Sequence, residues 1–302
     1  MFATSKKNKI ESGIIVGIFI LVITLIVYYI CNALDLGSLS IVIALVFSIA
    51  SAWGSYYYSD KIVLTSCHAR PATKEEDLKL VNILDALMVT AGLPKKPDLY
   101  VVEDAQPNAF ATGRNPEHAI ICVTTGLLEK LDYYELEGVI AHEMSHIKNY
   151  DILLSAVVSV FVGLIVMLSD MFSRILFWGG AKDRDSDSDS KANGILMLLG
   201  LICLILSPIF GTLMQLALSR KREFLADSTA VEFTRNPDGL ISALQKLDSD
   251  PNELQSANSA TANMYIVNPF KKNGEKGKNK TSNIWSTHPS TEARIEALRN
   301  IR

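Results

Sequence analysis

The sequence holds little that would build a thiolate metal site or a disulfide framework. Its four cysteines, Cys31, Cys67, Cys122 and Cys203, show no C-x-x-C spacing, and two of them lie inside apolar runs. They read as small apolar residues or free thiols in a reducing compartment. Net charge is also scarce. The formal balance is −3, which leaves no bulk electrostatic case for binding nucleic acid. Internal repeats are absent, and that excludes solenoid architectures.

Apolar length is what the chain has in abundance. Hydrophobic residues make up 49% of it and the mean hydropathy is +0.22, high for a soluble domain. The excess sits in four runs. Residues 13–34 carry no charge until Asp35, and residues 39–58 end in the aromatic cluster Trp53, Tyr56, Tyr57 and Tyr58, suited to the headgroup level of a bilayer. Only residues 35–38 separate the two, so they read as a transmembrane hairpin. The basic leader Lys6-Lys7-Asn8-Lys9 resembles a signal peptide, but the run behind it is long and lacks a small-x-small cleavage site, so it reads as a retained anchor. Two further runs, 152–178 and 193–218, read either as a second pair of crossings or as a buried helical hairpin. The third carries Asp170 and Arg174 near its far end, and the fourth is broken by Pro208. Lys6, Lys7 and Lys9, then Lys61, Arg70 and Lys74, then Arg220, Lys221 and Arg222 flank one side of these runs. The acidic stretch 182–189 flanks the other. The positive-inside rule then predicts a multi-pass protein of the cell membrane with both termini in the cytoplasm. The expected organisation is a hairpin (1–60), a first soluble part (61–151), an apolar pair (152–219) and a second soluble part (220–302).

The chemistry concentrates in Val139-Ile140-Ala141-His142-Glu143-Met144-Ser145-His146. Positions four apart share a helix face, so His142 and His146 can grip one metal ion. Glu143 is badly placed to be a third ligand beside them and well placed to take a proton from an activated water. The extension H-E-x-x-H-x-x-G-x-x-H is absent, so a third ligand must come from further along. The best candidate is Glu223 in Arg222-Glu223-Phe224-Leu225-Ala226-Asp227, where two crossings return the chain to the same side. Asp227, one turn on, suits a carboxylate that accepts a hydrogen bond from a ligand histidine. A competitor is Asp238 in Asn236-Pro237-Asp238-Gly239, which looks like the motif of intramembrane site-2 proteases, although Asn236-Pro237 also reads as a helix cap with a first-turn proline.

Around the motif the pattern is mixed. Helices are predicted over 73–91, stopping at Gly92 and Pro94, from 124 or 125 to 131, and from Asp132 with a capping box to Glu135. Others are predicted over 223–235 and 237–247, and from about Pro289 to Arg299. Strands are predicted at 99–103, 108–113 and 119–123, the last after the turn Asn115-Pro116. Residues 250–284 are polar and rich in Gly, Asn and Lys, and read as a mobile loop, either simply solvated or drawn to anionic headgroups.

A transmembrane hairpin, a strand-rich segment, H-E-x-x-H entering an apolar pair, then Glu223-Phe224-Leu225-Ala226-Asp227 and His288-Pro289 together resemble the HtpX-type membrane zinc metalloproteases, relatives of the type I CAAX prenyl proteases. The resemblance covers nearly the whole chain. It implies an α+β, mostly α, multi-pass membrane protein with a zincin-like cytoplasmic protease domain holding a small sheet. It implies one zinc ion on His142, His146 and Glu223, with Glu143 as catalytic base. The activity implied is hydrolysis of misfolded or damaged membrane proteins, with CAAX processing and a site-2 protease as alternatives and a non-catalytic zinc scaffold as a further one. It also suggests that residues 107–113 form an edge strand beside the zinc that pairs with substrate, with Asn108, Ala109 and Phe110 as contacts, the alternative being an ordinary sheet strand. His288 and Arg294 are then candidates to stabilise the oxyanion. Otherwise His288 caps the last helix and Arg294 points to solvent.

Overall fold

The computed structural model describes residues 2–33, 37–161, 163, 220–257, 261–269 and 289–301. Most of the third apolar run and all of the fourth lie outside these residues, as do Cys203 and His288. The described chain is mostly helical with one small mixed sheet.

Two long helices come first, α1 (Phe2–Ala33) and α2 (Leu39–Ser66). Each exceeds the apolar run that announced it. The polar leader joins α1, and α2 continues past Tyr58, because helical hydrogen bonding needs no hydrophobicity once a turn is formed. Their spans Asn8–Tyr29 and Leu39–Ser66 have mean hydropathies of 2.7 and 1.8 and are long and apolar enough to cross a membrane. Leu21, Leu25, Val42, Val46 and Phe47 are exposed on them, which a helix in a soluble core would not permit. Ser40, Ala44, Ser48 and Ala52, four apart, form a buried face of small residues on α2, and small side chains let two helices approach closely. There Thr24 Oγ1 and Ser48 Oγ meet at 2.6 Å. A further helix, α6 (Asp151–Phe161), packs Leu154, Val157, Val158 and Phe161 against Ile15, Phe19, Ile23 and Ile26 of α1. Phe19 and Phe161 meet edge to face with centroids 4.0 Å apart.

The sheet has the order β1 (Arg70–Pro71), β2 (Asp98–Val102), β4 (Ala119–Thr124), β3 (Ala109–Gly113). β2 and β4 are parallel, and the other pairs are antiparallel. β1 is too short to leave a sequence pattern. β3 turns into β4 through a 3-10 turn at Pro116–His118, capped by Asn115 Oδ1, which accepts from the N–H groups of Glu117 and His118 at 3.1 and 3.0 Å. Gly113 makes the turn possible: its φ is +134°, and a Cβ there would lie 2.2 Å from His118 O.

Alternation splits the sheet residues between two cores. Val101, Ala109, Ala111, Ile121 and Val123 face α3 (Lys74–Ala91), α4 (Thr125–Lys130), α5 (Tyr133–Lys148), α7 (Arg220–Thr234), α8 (Pro237–Ser249) and α9 (Thr291–Arg299). Val102, Phe110, Ile120 and Cys122 face the end of α2 (Val63, Leu64, Cys67) together with Leu254, Met264 and Tyr265. One end of the helix read as a membrane span thus covers one face of the sheet. Of the segment 250–284, expected to be a mobile loop, residues 250–257 and 261–269 are described, and parts of them are packed. Leu254, Met264, Tyr265, Ile266 and Val267 are buried, because these apolar residues fill the open side of the sheet beyond β3. Ile266 N donates to Ala109 O at 3.0 Å.

Candidate metal centre

α5 begins with a reciprocal cap. Asp132 Oδ1 accepts from Glu135 N at 3.1 Å, and Asp132 N donates to Glu135 Oε2 at 2.9 Å. Glu135 also accepts from Ser242 Oγ at 2.5 Å and Lys246 Nζ at 2.6 Å, which fastens α8 alongside. The two helices touch backbone to backbone at Gly138, where a Cβ would lie 2.8 Å from Leu240 N. The middle of α5 is therefore a rigid, buried rod: His142 is 1% exposed, Glu143 2% and Met144 0%.

The helical repeat sets His142 Nε2 and His146 Nε2 3.2 Å apart, with the rings edge to face at 88°. α7 brings Glu223 beside them, Oε2 3.7 Å from His142 Nε2 and Oε1 3.6 Å from His146 Nε2. Ligand atoms of the three lie within 4.8 Å of one another. Two ligands roughly 2.0–2.1 Å from a tetrahedral ion sit about 3.3 Å apart, so this nitrogen–nitrogen–oxygen set matches the size and chemistry of a zinc site.

The far nitrogen of each imidazole is held by a carboxylate. His142 Nδ1 is 3.0 Å from Asp227 Oδ1, and His146 Nδ1 is 3.0 Å from Asp151 Oδ2. With Nδ1 of each ring turned to a carboxylate, Nε2 faces the gap between the three residues and is the nitrogen left to bind a metal. The sequence offered Asp227 as such a partner but not Asp151. Asp151 lies five residues past His146, off the helical repeat, and reaches back only because the chain breaks between α5 and α6 at Tyr150, which has φ +62°.

Arg294 is the largest fully buried side chain described, at 1% exposure. Its Nε and one terminal nitrogen donate to the two oxygens of Asp227 at 2.8 and 2.6 Å, and its other terminal nitrogen donates to Ile266 O at 2.9 Å. The solvent-facing alternative for Arg294 is overturned, because a bidentate carboxylate partner waits inside. Burial works against ionising Asp227, yet Arg294 and His142 hold it below the usual carboxylate range. Burial, aided by Arg294 and His146, pushes His142 down. Burial also opposes a charged His146, but Asp151 and Glu223 outweigh it and lift the group to about 9, so a metal cation binding there must displace a proton. Burial, with Glu223 nearby, pushes Glu143 up to about 7, against the pull of His146, Arg294 and a hydrogen bond from the Ala111 backbone.

Of the expected edge residues, Asn108 is wholly buried and tied to Val267, its Nδ2 donating to Val267 O at 3.1 Å. Ala109 O is taken by Ile266, and Phe110 packs on Tyr265 with centroids 5.0 Å apart, facing away from the histidines. Asn108 and Ala109 thus present their bonding groups to the chain's own segment 266–267. Ala111 is the β3 residue that reaches the site. It lines a cleft with Glu143, Ile152, Ser155, Met264 and Tyr265. Asp238 lies elsewhere, on a surface hollow with Ser242 and Arg299. Asn236 caps α8 through Gly239 N at 3.3 Å, and Pro237 occupies its first turn.

A family model described as peptidase family M48 matches residues 74–302 of this chain. The chain belongs to peptidase family M48. It is accordingly a metalloendopeptidase, and the matched range holds α5, α7 and α9 together. A protease HtpX homolog of Caldanaerobacter subterraneus subsp. tengcongensis is 41% identical over 301 residues, spanning 100% of this chain and 98% of that one. Another from Dictyoglomus thermophilum is 42% identical over 294 residues, spanning 97% and 92%. The solved structure of S. mikatae Ste24p aligns at a TM-score of 0.49 and 17% identity, over 97% of this chain and 66% of that one.

Proposed function

We propose that this M48 peptidase is a zinc-dependent endopeptidase of the membrane surface, with His142, His146 and Glu223 as metal ligands and Glu143 as general base. One observation carries the reading. Three donor groups face one another at 3.2–3.7 Å, while the far nitrogen of each imidazole is fixed on a carboxylate. Zinc held there supplies Lewis acidity that activates a water and polarises the scissile carbonyl. Glu143, at the cleft wall, accepts the water's proton at a carboxylate oxygen and returns it to the departing amine. Asp227 and Asp151 keep the imidazoles in one tautomer and one orientation, and Ala111 steadies Glu143 through its backbone N–H. The burial of His142 and Glu143 keeps bulk water from competing.

The apolar exteriors of α1 and α2 support anchorage in a bilayer. The basic residues around the apolar runs support a cytoplasmic site. Substrates are then unfolded or damaged membrane proteins whose chains reach that surface. The deciding experiment measures cleavage of an unfolded protein such as casein by purified wild type and Glu143→Gln, alongside zinc content. The variant is expected to retain zinc and lose roughly 10²–10⁴-fold in rate. Unchanged turnover sinks the assignment.

A further inference from the structure

Asn8 is an amide near the start of a helix read as a membrane anchor, yet it is 2% exposed. Both donors of its side chain are used at the break between α5 and α6: Nδ2 donates to Asn149 O at 2.9 Å and to Asp151 Oδ1 at 2.6 Å. The other oxygen of Asp151 accepts from His146 Nδ1 at 3.0 Å. The neighbours of Asn8 grip the same region. Lys9 Nζ lies 3.9 Å over the ring of Tyr150, the residue at positive φ. Glu11 Oε2 faces an Arg222 guanidinium nitrogen at 3.4 Å, one residue before Glu223. α1 therefore touches both elements that would carry metal ligands.

We infer that Asn8 is a positioning residue of the metal centre, acting through Asp151 on His146, so that the site is complete only with the N-terminal helix docked. The inference rests on the zinc reading above. A carboxylate at the first residue of a helix can swing about two torsions. Here Arg222 Nε, 3.7 Å from Oδ1, competes for the same oxygen. A hydrogen bond from Asn8 holds Oδ1 in place and leaves Oδ2 aimed at His146. Because the donor is a neutral amide, it fixes the carboxylate without adding a second cation beside it, and leaves Oδ2 to orient His146 as a ligand. A lysine at position 8 would hold the carboxylate while draining its charge. The positive φ of Tyr150 shows that the break costs backbone strain, and such strain persists where surrounding contacts over-determine it. Asn8 and Lys9 supply those contacts from α1.

The test uses the full chain in detergent or nanodiscs, with zinc itself as probe. Zinc affinity is measured by competition with a chromophoric chelator, the visible spectrum is recorded on the cobalt-substituted protein, and the melting temperature is taken with chelator present. Partners that orient a ligand typically contribute 10–100-fold in metal affinity. Asn8→Leu, one step further out, is expected to weaken zinc binding about tenfold and to shift the cobalt bands. Asn8→Asp sets carboxylate against carboxylate and should weaken it further. In an Asp151→Asn background the sign reverses: Asn8→Asp then restores a donor–acceptor pair and should tighten zinc binding or leave it unchanged. A uniform loss of stability cannot produce that reversal. Zinc affinity within twofold of wild type in Asn8→Leu, or purely additive losses in the double variant, overturns the inference. Retention of wild-type zinc affinity in His146→Ala overturns the zinc reading itself, and this inference with it.

Discussion

Replacing Arg294 with methionine separates two roles that the sequence alone left open, one on the substrate and one on the protein. The guanidinium is 1% exposed, and all three of its nitrogens are engaged, two on Asp227 and one on Ile266 O. Arg294→Met leaves Asp227, itself 1% exposed, as a buried carboxylate held only by His142. Breaking a buried pair from one side costs roughly 3–5 kcal/mol. Two hydrogen bonds to a charged group at roughly 1.5–3 kcal/mol each give a similar figure. For a chain of this size that is a fall of about 10 °C in melting temperature, read on chelator-treated protein in detergent. Zinc affinity should fall in parallel by roughly 10–100-fold, because Asp227 no longer has a fixed position from which to orient His142. The double variant Arg294→Met/Asp227→Leu removes both charges and should regain most of the stability, since apolar replacements of buried pairs are often neutral or better. It should not regain zinc affinity. A group acting only on the oxyanion would behave otherwise, losing catalytic rate in Arg294→Met with the melting temperature and zinc affinity unmoved. That result, or a double variant less stable than the single one, refutes the argument.

Three more expectations follow from single contacts. Glu223→Ala should release zinc into a chelator while Asp238→Ala retains it, as metal analysis after dialysis will read, because Asp238 lies on a separate surface hollow; the reverse pattern would favour the site-2 arrangement. Gly138→Ala forces a Cβ to 2.8 Å from Leu240 N and should destabilise the fold by about 1–3 kcal/mol, with a melting temperature equal to wild type as the contrary outcome. Glu76 accepts from Arg70 at 2.8 Å, and that contact, with the Thr73 backbone and against burial, lowers it to about 2 from 4.5. A depressed carboxylate stabilises above its unfolded pKa and loses that contribution as pH falls through the folded one. Glu76→Gln should therefore be less stable than wild type by about 0.5–1 kcal/mol at pH 7, given partial exposure, with the gap closing toward pH 2. A gap that is constant with pH contradicts the ion-pair account.

Local chemistry was legible where local chemistry decides. The cap at Asp132 and Glu135, the stop at Gly92, the turn at Asn115-Pro116 and the helix entry at Asn236-Pro237 all depend on residues within three or four positions, and each appears in the structure. The His142–His146 pairing is likewise a matter of helical repeat. Glu223 needed a topological argument, two apolar runs returning the chain to its starting side. Arg294 stayed between a place at the site and one in solvent, because an arginine on a short terminal helix normally faces water and only a distant Asp227 makes its burial tolerable. Residues 250–284 read as a loop, and the packing of their described part, at 254 and 264–267, was not foreseen for a different reason. Their composition is polar on average, but Met264, Tyr265, Ile266 and Val267 are four apolar residues in a row, enough to fill the space beside a small sheet.

Asp151 and Asn8 were illegible for a stronger reason. Asp151 sits at a charge boundary before an apolar run, where an acidic residue is ordinary, and Asn8 sits in a leader whose lysines suggested only membrane orientation. Their bond joins positions 8 and 151, a separation that no periodicity spans. Yet the fold requires some such contact. The helix carrying both histidines ends at a break with Tyr150 at φ +62°, beyond the grip of α8 on its other end. Without an outside partner, that break would leave His146 on a loose helix terminus, while His142 is locked by Asp227 and Arg294. A metal site tolerates no such asymmetry, since one drifting ligand lowers affinity as effectively as a missing one. The partner comes from α1 because α6 is packed against α1 along Phe19, Ile23 and Ile26. The apolar contact that seats α6 beside the anchor helix also sets Asn8 against Asp151, so the packing of the membrane helices and the geometry of the metal centre are fixed by one interface.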